Sequence, residues 1–593
     1  MTPRRLAARR IFAFALIAAA VSGAALQAFP QGRPARLTTF EELEKAIGLA
    51  REAVRTSPRD AAAGTELARL LMMDGKFPEA EDALRGALAA DARNVPALVL
   101  LSRLYRTDYR FDAGRAELAK AAALAPQLED VRLLEASFAI DRMDFAAAAA
   151  IYQDLVAHAP GSAAALCGLA EVAYWENRYD DSLSFIERCL AADPGFGRAF
   201  LFKSLIHRIR QENDQWKAAG RKAVEASPFD DEARANLFNI LARGEQKMQE
   251  GYAEAKVALR INPFCYQAHN YIGNGWTPVA YGEDKPGGPP EAASRIRTLL
   301  QDGGEALVSR DLDRAEKLFD GVLGLSAGNI KALIGRGAAA YHRGRFEEAR
   351  EWFVRALAAD PDHGLAHYGL SQSLLRLKDG INIKLSGIEM SFTAKEAPEP
   401  AALKDVFVNY ARLDPDLQKI IRLSVRPLRA FLPAARDKGA TFYITPFHMI
   451  QSEAPGMAGI RGQRTFDGRL WDDVKGLGGP HALSGEDWER DVKRLRFNVV
   501  AHEFTHQVHG FLPKELRDEV KRLFEKAKKE RLTLDFYADF NEFEYFATGV
   551  EAYVSEDKLA DQKIAYGHTR AELLARDPDL CRFIERLDGK DRL

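Results

Sequence analysis

Two histidines with a glutamate beside the first are the residues of this sequence best suited to chemistry. They form the segment Ala501-His502-Glu503-Phe504-Thr505-His506. Residues four positions apart share one face of a helix, so both imidazoles can reach a single metal ion, at about 2.0–2.1 Å if that ion is zinc. Glu503 projects beside the pair, where it can take a proton from water at the metal. The segment therefore predicts zinc ligands at His502 and His506 and a general base at Glu503.

The flanking residues predict a helix whose inward face carries both histidines. Between Val499 and Val508 the only charged residue is Glu503, so this helix can lie beneath an active site. An apolar stripe leads into the pair by steps of four and three residues: Trp488, Val492, Leu495 and Val499. Ser484 is placed to begin the helix and Gly510 to end it.

The composition is that of an ordinary globular protein with several domains. The chain has 593 residues, of which 47% are hydrophobic and 28% are charged. Its formal net charge of −2 provides no basic field, so nucleic acid is not predicted as a partner. The four cysteines form no C-x-x-C pair; Cys167 and Cys189 could bridge in an exported protein, but buried core thiols are the preferred interpretation.

The N-terminus predicts export. Arginines precede an apolar run from Ile11 to Ala25, and small residues follow up to Ala28. Charged, apolar and small-residue regions in this order are typical of a secretory signal. We therefore expect residues 1–28 to be a signal peptide and the mature chain to be periplasmic or extracellular. The alternative is an uncleaved segment that anchors the protein in a membrane, because the apolar stretch is nearly long enough to span a bilayer.

A 34-residue period dominates the chain after this segment. One grid with that spacing carries Pro58, Pro126, Pro160, Pro194 and Pro228. The clearest copy ends at Pro361 in another register and contains small and aromatic residues such as Gly337 and Phe353. These residues resemble the tetratricopeptide repeat, a pair of antiparallel helices. One pair cannot bury its own apolar face, so the resemblance implies copies stacked in an α-solenoid that binds protein partners.

The period and its interruptions predict five segments. Residues 1–28 are the signal peptide, 29–264 repeats, 265–294 an insertion, 295–380 further repeats, and 381–593 a separate domain. The insertion either projects as a binding loop or changes the register of the stack.

The last segment is predicted to be of another class. Strand-like runs occur at Ile381–Phe392, Thr441–Thr445 and Arg469–Val474, before the helix with the two histidines, and mostly helices follow it. This order is similar to that of zincin peptidases. The predicted fold is thus mostly α: an N-terminal tetratricopeptide α-solenoid followed by an α+β zincin-like peptidase domain.

Two histidines leave a catalytic zinc site incomplete, because three protein ligands are usual. A third histidine in the metzincin pattern would fall at Leu512, and His509 lies about 10 Å along the helix from His502, too far to share one ion with both others. A downstream helix offers carboxylates instead. On residue type and spacing, Glu542, Glu544 and Glu551 all remain candidates.

A family resemblance narrows this choice. The histidine segment paired with Tyr537 and with Asn541-Glu542-Phe543-Glu544-Tyr545-Phe546-Ala547 resembles the gluzincin peptidases, and within them the family of the anthrax lethal factor catalytic domain. The resemblance implies that Glu544 is the third zinc ligand and Tyr537 the oxyanion-stabilising tyrosine. The chain departs from the family at Thr548, where the family has a glutamate.

Together these features predict an exported zinc metallopeptidase with one zinc ion per chain. Glu503 would act as general base, Tyr537 would stabilise the oxyanion, and an extended peptide would lie along an edge strand within Gly459–Val474. The alternative is a protein-binding scaffold whose peptidase-like domain is regulatory or inactive. An idle domain usually lacks the base or a ligand, and all of these are present here. A cytosolic adaptor conflicts with the N-terminal signal.

Overall fold

Helices make up most of the structure, a computed structural model that describes residues 37–282, 290–378, 397–465, 467–486, 498–535, 537–555 and 568–589. The chain divides into two compact units, Met1–Val131 and Arg132–Leu593. The predicted signal peptide and the strand-like run at 381–392 lie outside the described residues, as does the stripe from Trp488 to Leu495. None of the described helices has the length and apolar character needed to cross a membrane.

The first unit is built of consecutive helices that pack in pairs. They are α1 (Phe40–Thr56), α2 (Ala61–Met73), α3 (Phe77–Ala90), α4 (Val95–Thr107) and α5 (Phe111–Leu124), and α6 (Glu129–Asp141) crosses its boundary. α1 begins with a capping box, in which the Thr39 hydroxyl accepts from the Glu42 amide and the Glu42 carboxylate accepts from the Thr39 amide. Fully buried apolar residues between the pairs, such as Leu84 and Leu104, form the core.

The second unit continues the same pattern before it changes. Its first helices are α7 (Phe145–His158), α8 (Ala163–Trp175), α9 (Tyr179–Ala192), α10 (Gly197–Ile209), α11 (Asn213–Ala226), α12 (Asp231–Asn239), α13 (Met248–Ile261) and α14 (Tyr266–Gly273). A further five helices follow: α15 (Ala293–Val308), α16 (Leu312–Leu325), α17 (Ile330–His342), α18 (Phe346–Ala359) and α19 (Gly364–Arg376).

The structure confirms the 34-residue period. The leading helices of successive pairs begin at Ala61, Val95, Glu129, Ala163, Gly197 and Asp231, each 34 residues after the last. The grid prolines lie three residues before these starts, where a missing amide hydrogen costs nothing. Capping side chains such as Asp60 and Ser162 then accept hydrogen bonds from the first-turn amides.

Two helices from different parts of the second unit pack closely on each other. A Cβ atom on Gly273 of α14 would collide with the backbone of Tyr368 in α19. The Nδ1 atoms of His269 and His367 lie 2.7 Å apart, and both rings are buried. Each Nε2 lies 2.9 Å from a proline carbonyl oxygen six residues earlier in its own chain segment. α14 and α19 therefore present the same repeat position to each other.

The C-terminal part combines helices with a small sheet. Its helices are α20 (Leu403–Val406), α21 (Pro415–Val425), α22 (Leu432–Asp437), α23 (Val499–His509), α24 (Lys514–Glu530), α25 (Glu542–Val554), α26 (Arg570–Arg576) and α27 (Pro578–Asp588). The strands are β1 (Thr441–Thr445), β2 (Gly476–Leu477) and β3 (His481–Gly485). The sheet order is β1-β3-β2, with β1 parallel and β2 antiparallel to β3.

Two local predictions in this part are wrong. Ser484 does not begin the histidine helix, because it lies buried in β3 opposite Ile444 of β1. The run Arg469–Val474 is not a strand; it forms turns with one isolated bridge, at Leu470. The prediction of a strand at Thr441–Thr445 is confirmed.

A single apolar core joins the sheet to the helices around it. It contains Phe442 and Ile444 of β1, Phe504 and Val508 of α23, and Phe546 of α25, all at most 1% exposed. Alternate residues of β1 and the inward stripes of two helices meet there, which fixes the position of α23 relative to α25.

Most turns within the repeat pairs contain a residue in the left-handed conformation. Successive turns of the first array place Gly75, Tyr109, Met143, Asn177, Gln211 and Gln246 at positive φ. Only the first of these residues is glycine. The other five residues therefore hold a backbone conformation that glycine would adopt without steric cost.

We expect Gln211→Gly to raise the free energy of unfolding by about 0.5–1 kcal/mol. The exposed Gln211 has a φ of +61°, which costs a non-glycine residue roughly 1–2 kcal/mol, while the added chain freedom of glycine costs roughly 0.5–1 kcal/mol. The reverse change Gly344→Gln, at the corresponding turn of the second array, should lose a similar amount. Urea denaturation measures both changes, and a lower midpoint for Gln211→Gly would contradict this account.

Candidate metal centre

Helix α23 carries two of the predicted ligands on its inner face. Asn498 caps the helix by accepting a hydrogen bond from the Ala501 amide at 2.9 Å. His502 is 3% exposed, and the rings of His502 and His506 lie edge to face with centroids 4.8 Å apart. The cap and the buried neighbours of α23 thus fix both imidazoles on one side of the helix.

Helix α25 brings the third predicted ligand to the same place. Asn541 caps it by accepting from the amides of Phe543 and Glu544, both at 2.9 Å. Glu544 therefore stands in the first turn of a helix that packs directly on α23. Its side chain points into the space between the two histidines.

Three donor atoms converge in that space. Oε2 of Glu544 lies 3.1 Å from Nε2 of His502 and 3.3 Å from Nε2 of His506. The three ligand atoms all lie within 4.8 Å of one another. Within the part of the chain that the structure describes, this is the group of three such residues that could hold a metal ion. The structure thus brings together the three residues that the sequence assigned to zinc.

The other ligand candidates lie elsewhere. Glu542 and His509 do not join the converging group. The ring of His509 packs instead against Phe543 and Phe546, with centroid distances of 4.6 and 5.5 Å. Burial lowers the pKa of His509 to about 4, which is typical of an imidazole in an apolar setting.

Glu551 contacts the opposite side of the first histidine. Its Oε2 lies 3.3 Å from Nδ1 of His502, while Nε2 of the same ring faces Glu544. Glu551 is 2% exposed, one helical turn beyond Thr548. A carboxylate in this position fixes the tautomer and orientation of a metal-binding imidazole. The family that the sequence resembles has a glutamate where this chain has Thr548. In this chain, Glu551 is the carboxylate that lies behind His502.

Glu503 lies beside the converging atoms and against strand β2. A Cβ atom on Gly476 would collide with the Glu503 carboxylate, and one on Gly478 would collide with His506. Only glycine allows the backbone of this segment to approach the two side chains so closely. The residues from Gly476 to Gly479 were not predicted as part of the site; their signal in the sequence was a glycine-rich run alone.

Tyr537 lies next to the first histidine. The centroids of the Tyr537 and His502 rings are 6.0 Å apart. Burial raises the pKa of the Tyr537 hydroxyl above its ordinary value, and the negative charge of Glu544 acts in the same direction. The hydroxyl therefore keeps its proton and can donate a hydrogen bond over the whole neutral range.

The acidic residues of the centre differ in their pKa values. Burial alone would raise the pKa of Glu544, but its hydrogen bonds with His502 and His506 outweigh burial and lower the pKa to about 2. Burial raises the pKa of Glu503, and the two histidines oppose that effect only in part. An anionic ligand and a more basic neighbouring carboxylate are the combination that a metal site with a general base requires.

One curated relative is similar to part of this chain. The chain is similar to cellulose synthase 1 operon protein C of Komagataeibacter xylinus, with 26% identity over 334 residues. The match covers 48% of this chain and only 25% of the length of that relative.

Solved structures are similar to parts of the chain as well. The crystal structure of PilW, a type IV pilus biogenesis factor, shares 16% identity over 36% of this chain and 98% of its own, with a TM-score of 0.26. The Cut9–Hcn1 hetero-tetramer of the APC/C shares 14% identity over 57% of this chain and 60% of its own, with a TM-score of 0.33. No functional conclusion follows from likenesses at this level.

Family models identify the repeats themselves. Models of the tetratricopeptide repeat match residues 39–95, 139–206 and 306–374, which lie in both helical arrays. The prediction of repeats is therefore confirmed. This chain contains tetratricopeptide repeats, which form a helical scaffold for binding other proteins.

We expect Glu544→Ala to weaken zinc binding strongly, because its carboxylate is the atom group that both Nε2 atoms face. Glu542→Ala, a change of the same size two residues earlier, should retain the affinity of the unaltered chain. Metal analysis after dialysis against a graded chelator measures both variants. Equal zinc retention by the two would remove Glu544 from the ligand set.

We expect Glu551→Gln to lower zinc affinity by about 10- to 100-fold, the usual effect of losing a carboxylate behind a metal-binding histidine. The substitution preserves size but leaves Nδ1 of His502 without an anionic partner. Competition with a chelating dye measures the affinity, and Glu542→Gln serves as the matched control. An unchanged affinity in Glu551→Gln would show that His502 is oriented by packing alone.

Proposed function

We propose that this chain is a zinc metallopeptidase joined to a protein-binding repeat scaffold. The observation that carries the proposal is the convergence of two imidazole nitrogens and one carboxylate oxygen beside Glu503. Ligands of a tetrahedral zinc ion at 2.0–2.1 Å lie about 3.3 Å from each other. The separations of 3.1 and 3.3 Å from Glu544 to the two histidines agree with that geometry, and two imidazoles with one carboxylate are a donor set that catalytic zinc uses.

The proposal assigns a separate role to each residue at the centre. His502, His506 and Glu544 would hold the zinc ion, which when bound would polarise water and the scissile carbonyl as a Lewis acid. Glu503 accepts the proton of the attacking water and returns it to the leaving amine. Its raised pKa suits this role, because the carboxylate must hold the proton between the two events.

Tyr537 is assigned to the charge that develops on the substrate. Its ring lies beside His502 and its hydroxyl stays protonated at neutral pH, so it can donate a hydrogen bond to the carbonyl oxygen. A donor fixed in place before reaction stabilises the oxyanion without reorganising.

The substrate is proposed to bind along strand β2. β2 is one of the two outer strands of the described sheet. Its Gly476 lies directly against Glu503, and Gly478, just after the strand, lies against His506. An extended peptide that pairs with this edge through main-chain hydrogen bonds would bring a peptide bond next to Glu503. The edge lies just after the range Gly459–Val474 in which the sequence had predicted it.

Export is part of the proposal. It rests on the order of charged, apolar and small residues within positions 1–28. A periplasmic or extracellular peptidase would meet protein substrates there, and the repeats would recruit either the substrate or a protein partner. An uncleaved N-terminal segment would hold the same peptidase at a membrane.

A second candidate function is the scaffold alone, with a C-terminal domain that is regulatory or inactive. One observation favours it: the repeats on which a scaffold depends are matched by models of the tetratricopeptide repeat. The relative from Komagataeibacter xylinus is named for a cellulose synthase operon, so a role beside a cellulose synthase belongs to this candidate.

We expect Glu503→Gln to separate the two candidates. Glutamine keeps the size of the side chain but cannot accept the proton, so zinc content should remain near one ion per chain while hydrolysis of an unfolded protein falls by about 10²-fold or more. Tyr537→Phe should also keep zinc and lose less activity. Metal analysis and casein cleavage measure these effects. A purified chain that binds zinc but cleaves nothing, with or without Glu503, would favour the scaffold.

A further inference from the structure

The segment between β1 and β2 lies on the repeats before it reaches the candidate metal centre. The Arg464 guanidinium donates to the carbonyl oxygen of Thr277 at 2.7 Å, and the Leu470 amide donates to that of Gly275 at 2.9 Å. Arg461 donates to the carbonyl of Gly282. Residues 275–282, part of the predicted insertion, therefore form a backbone seat for Arg461, Arg464 and Leu470. We call this the insertion seat.

A buried tyrosine and aspartate connect the seat to helix α19. The Tyr281 hydroxyl donates to Oδ1 of Asp473 and accepts from the Leu365 amide at 3.2 Å. Gly364 leaves the space that the Asp473 carboxylate fills, because a Cβ atom there would collide with it. Asp473 is 0% exposed, and burial raises its pKa to about 7. Burying a carboxyl group costs free energy unless it is hydrogen-bonded, so Asp473 depends on the hydrogen bond from Tyr281.

The neighbouring aspartate keeps the segment rigid. The Asp472 carboxylate accepts from the Ser452 hydroxyl and, at 2.7 Å, from the Gly462 amide. Its carbonyl oxygen accepts from the Gln451 amide at 3.0 Å. Asp472 is also fully buried. These hydrogen bonds resist local deformation of the segment. A shift of Asp473 would therefore move the residues that follow it, including β2.

Lys475 completes the connection to the strand. Its ammonium group lies 4.1 Å from the ring centre of Tyr368 in α19 and 5.5 Å from that of Phe447. Its carbonyl oxygen accepts from the Gly485 amide of β3 at 3.0 Å. The residue is 4% exposed, so the cation is held between aromatic faces away from solvent. The next residue is Gly476, which lies against Glu503.

We propose that the repeat scaffold is a structural part of the candidate peptidase site, in which Tyr281 and Lys475 are positioning residues that hold β2 against Glu503. This rests on the proposed function for its catalytic meaning. The chain of contacts runs from the insertion seat and α19, through Asp473 and Lys475, to the strand that would align the peptide. Binding of a protein partner that shifts α14 against α19 would therefore change how the site receives its substrate.

Hydrogen–deuterium exchange of the full-length chain tests the physical part of this proposal. In Tyr281→Phe, Asp473 and the Leu365 amide lose their partner, and we expect the amides of Gly476–Gly479 to exchange about tenfold faster. Lys475→Met, which keeps an apolar stem of similar length, should act in the same direction. The control is Tyr105→Phe, which removes a 3.0 Å tyrosine–carboxylate hydrogen bond to Glu81 in the first unit.

The outcome distinguishes this proposal from the peptidase assignment. Unchanged exchange at Gly476–Gly479 in both variants would overturn it, as would equal acceleration in Tyr105→Phe. If casein cleavage depends on Glu503, Tyr281→Phe should raise KM more than it lowers kcat, because β2 binds the peptide and takes no part in proton transfer. Its zinc content should not change. Faster exchange in a chain without peptidase activity would uphold the coupling and reject the activity.

Discussion

The Glu544 carboxylate between two imidazoles is the interaction on which the C-terminal part depends. Three buried or half-buried carboxylates, Glu503, Glu544 and Glu551, surround His502 and His506. Such a cluster excludes water from several negative groups at once, which costs free energy unless positive charge compensates it. The hydrogen bonds to Glu544 and Glu551 hold the pKa of His502 well above its ordinary value, although burial would lower it. The centre is therefore built to retain a cation, either protons on the histidines or a metal ion.

Within the second unit, buried charged side chains also connect the repeats to the C-terminal part. Asp473 and Lys475 are enclosed where the second repeat array meets the segment before β2. Groups of the repeats enclose both side chains: the Tyr281 hydroxyl donates to Asp473, and the Tyr368 ring lies 4.1 Å from the Lys475 ammonium group. The repeats thus stabilise the arrangement of a segment that a free-standing C-terminal domain would have to order by itself.

The sequence predicted the features that local rules determine. The 34-residue period, the strand at Thr441–Thr445 and the shared face of His502 and His506 all follow from spacing and residue type. The helix start was missed because Ser484 and Asn498 are both good capping residues, and only pairing with β1 decides that Ser484 belongs to a strand. Local propensity cannot choose between two such positions.

The remaining errors concern buried polar groups. The run Arg469–Val474 was predicted to be a strand, yet Asp472 and Asp473 are both buried, and Tyr281, the partner of Asp473, lies 192 residues earlier in the chain. The position of Glu551 behind His502 likewise depends on the packing of α25 on α23. Spacing along one helix left Glu542, Glu544 and Glu551 as candidates, and the family resemblance favoured Glu544. The relative placement of the two helices separates the inner carboxylate from the outer one.

The histidine pair between α14 and α19 has a consequence for hydrogen positions. Burial lowers the pKa of His269 to about 3 and that of His367 to about 4, so both rings are neutral near pH 7. Two neutral imidazoles carry two N–H groups, but the pair makes three short polar contacts, at 2.7, 2.9 and 2.9 Å. One contact must lack a hydrogen at any moment. If His269 donates to His367, the carbonyl oxygen of Pro263 has no N–H group facing it. If His367 donates to His269, the same is true of the carbonyl oxygen of Pro361. The junction therefore has two tautomeric patterns, related by the approximate symmetry of the repeat itself.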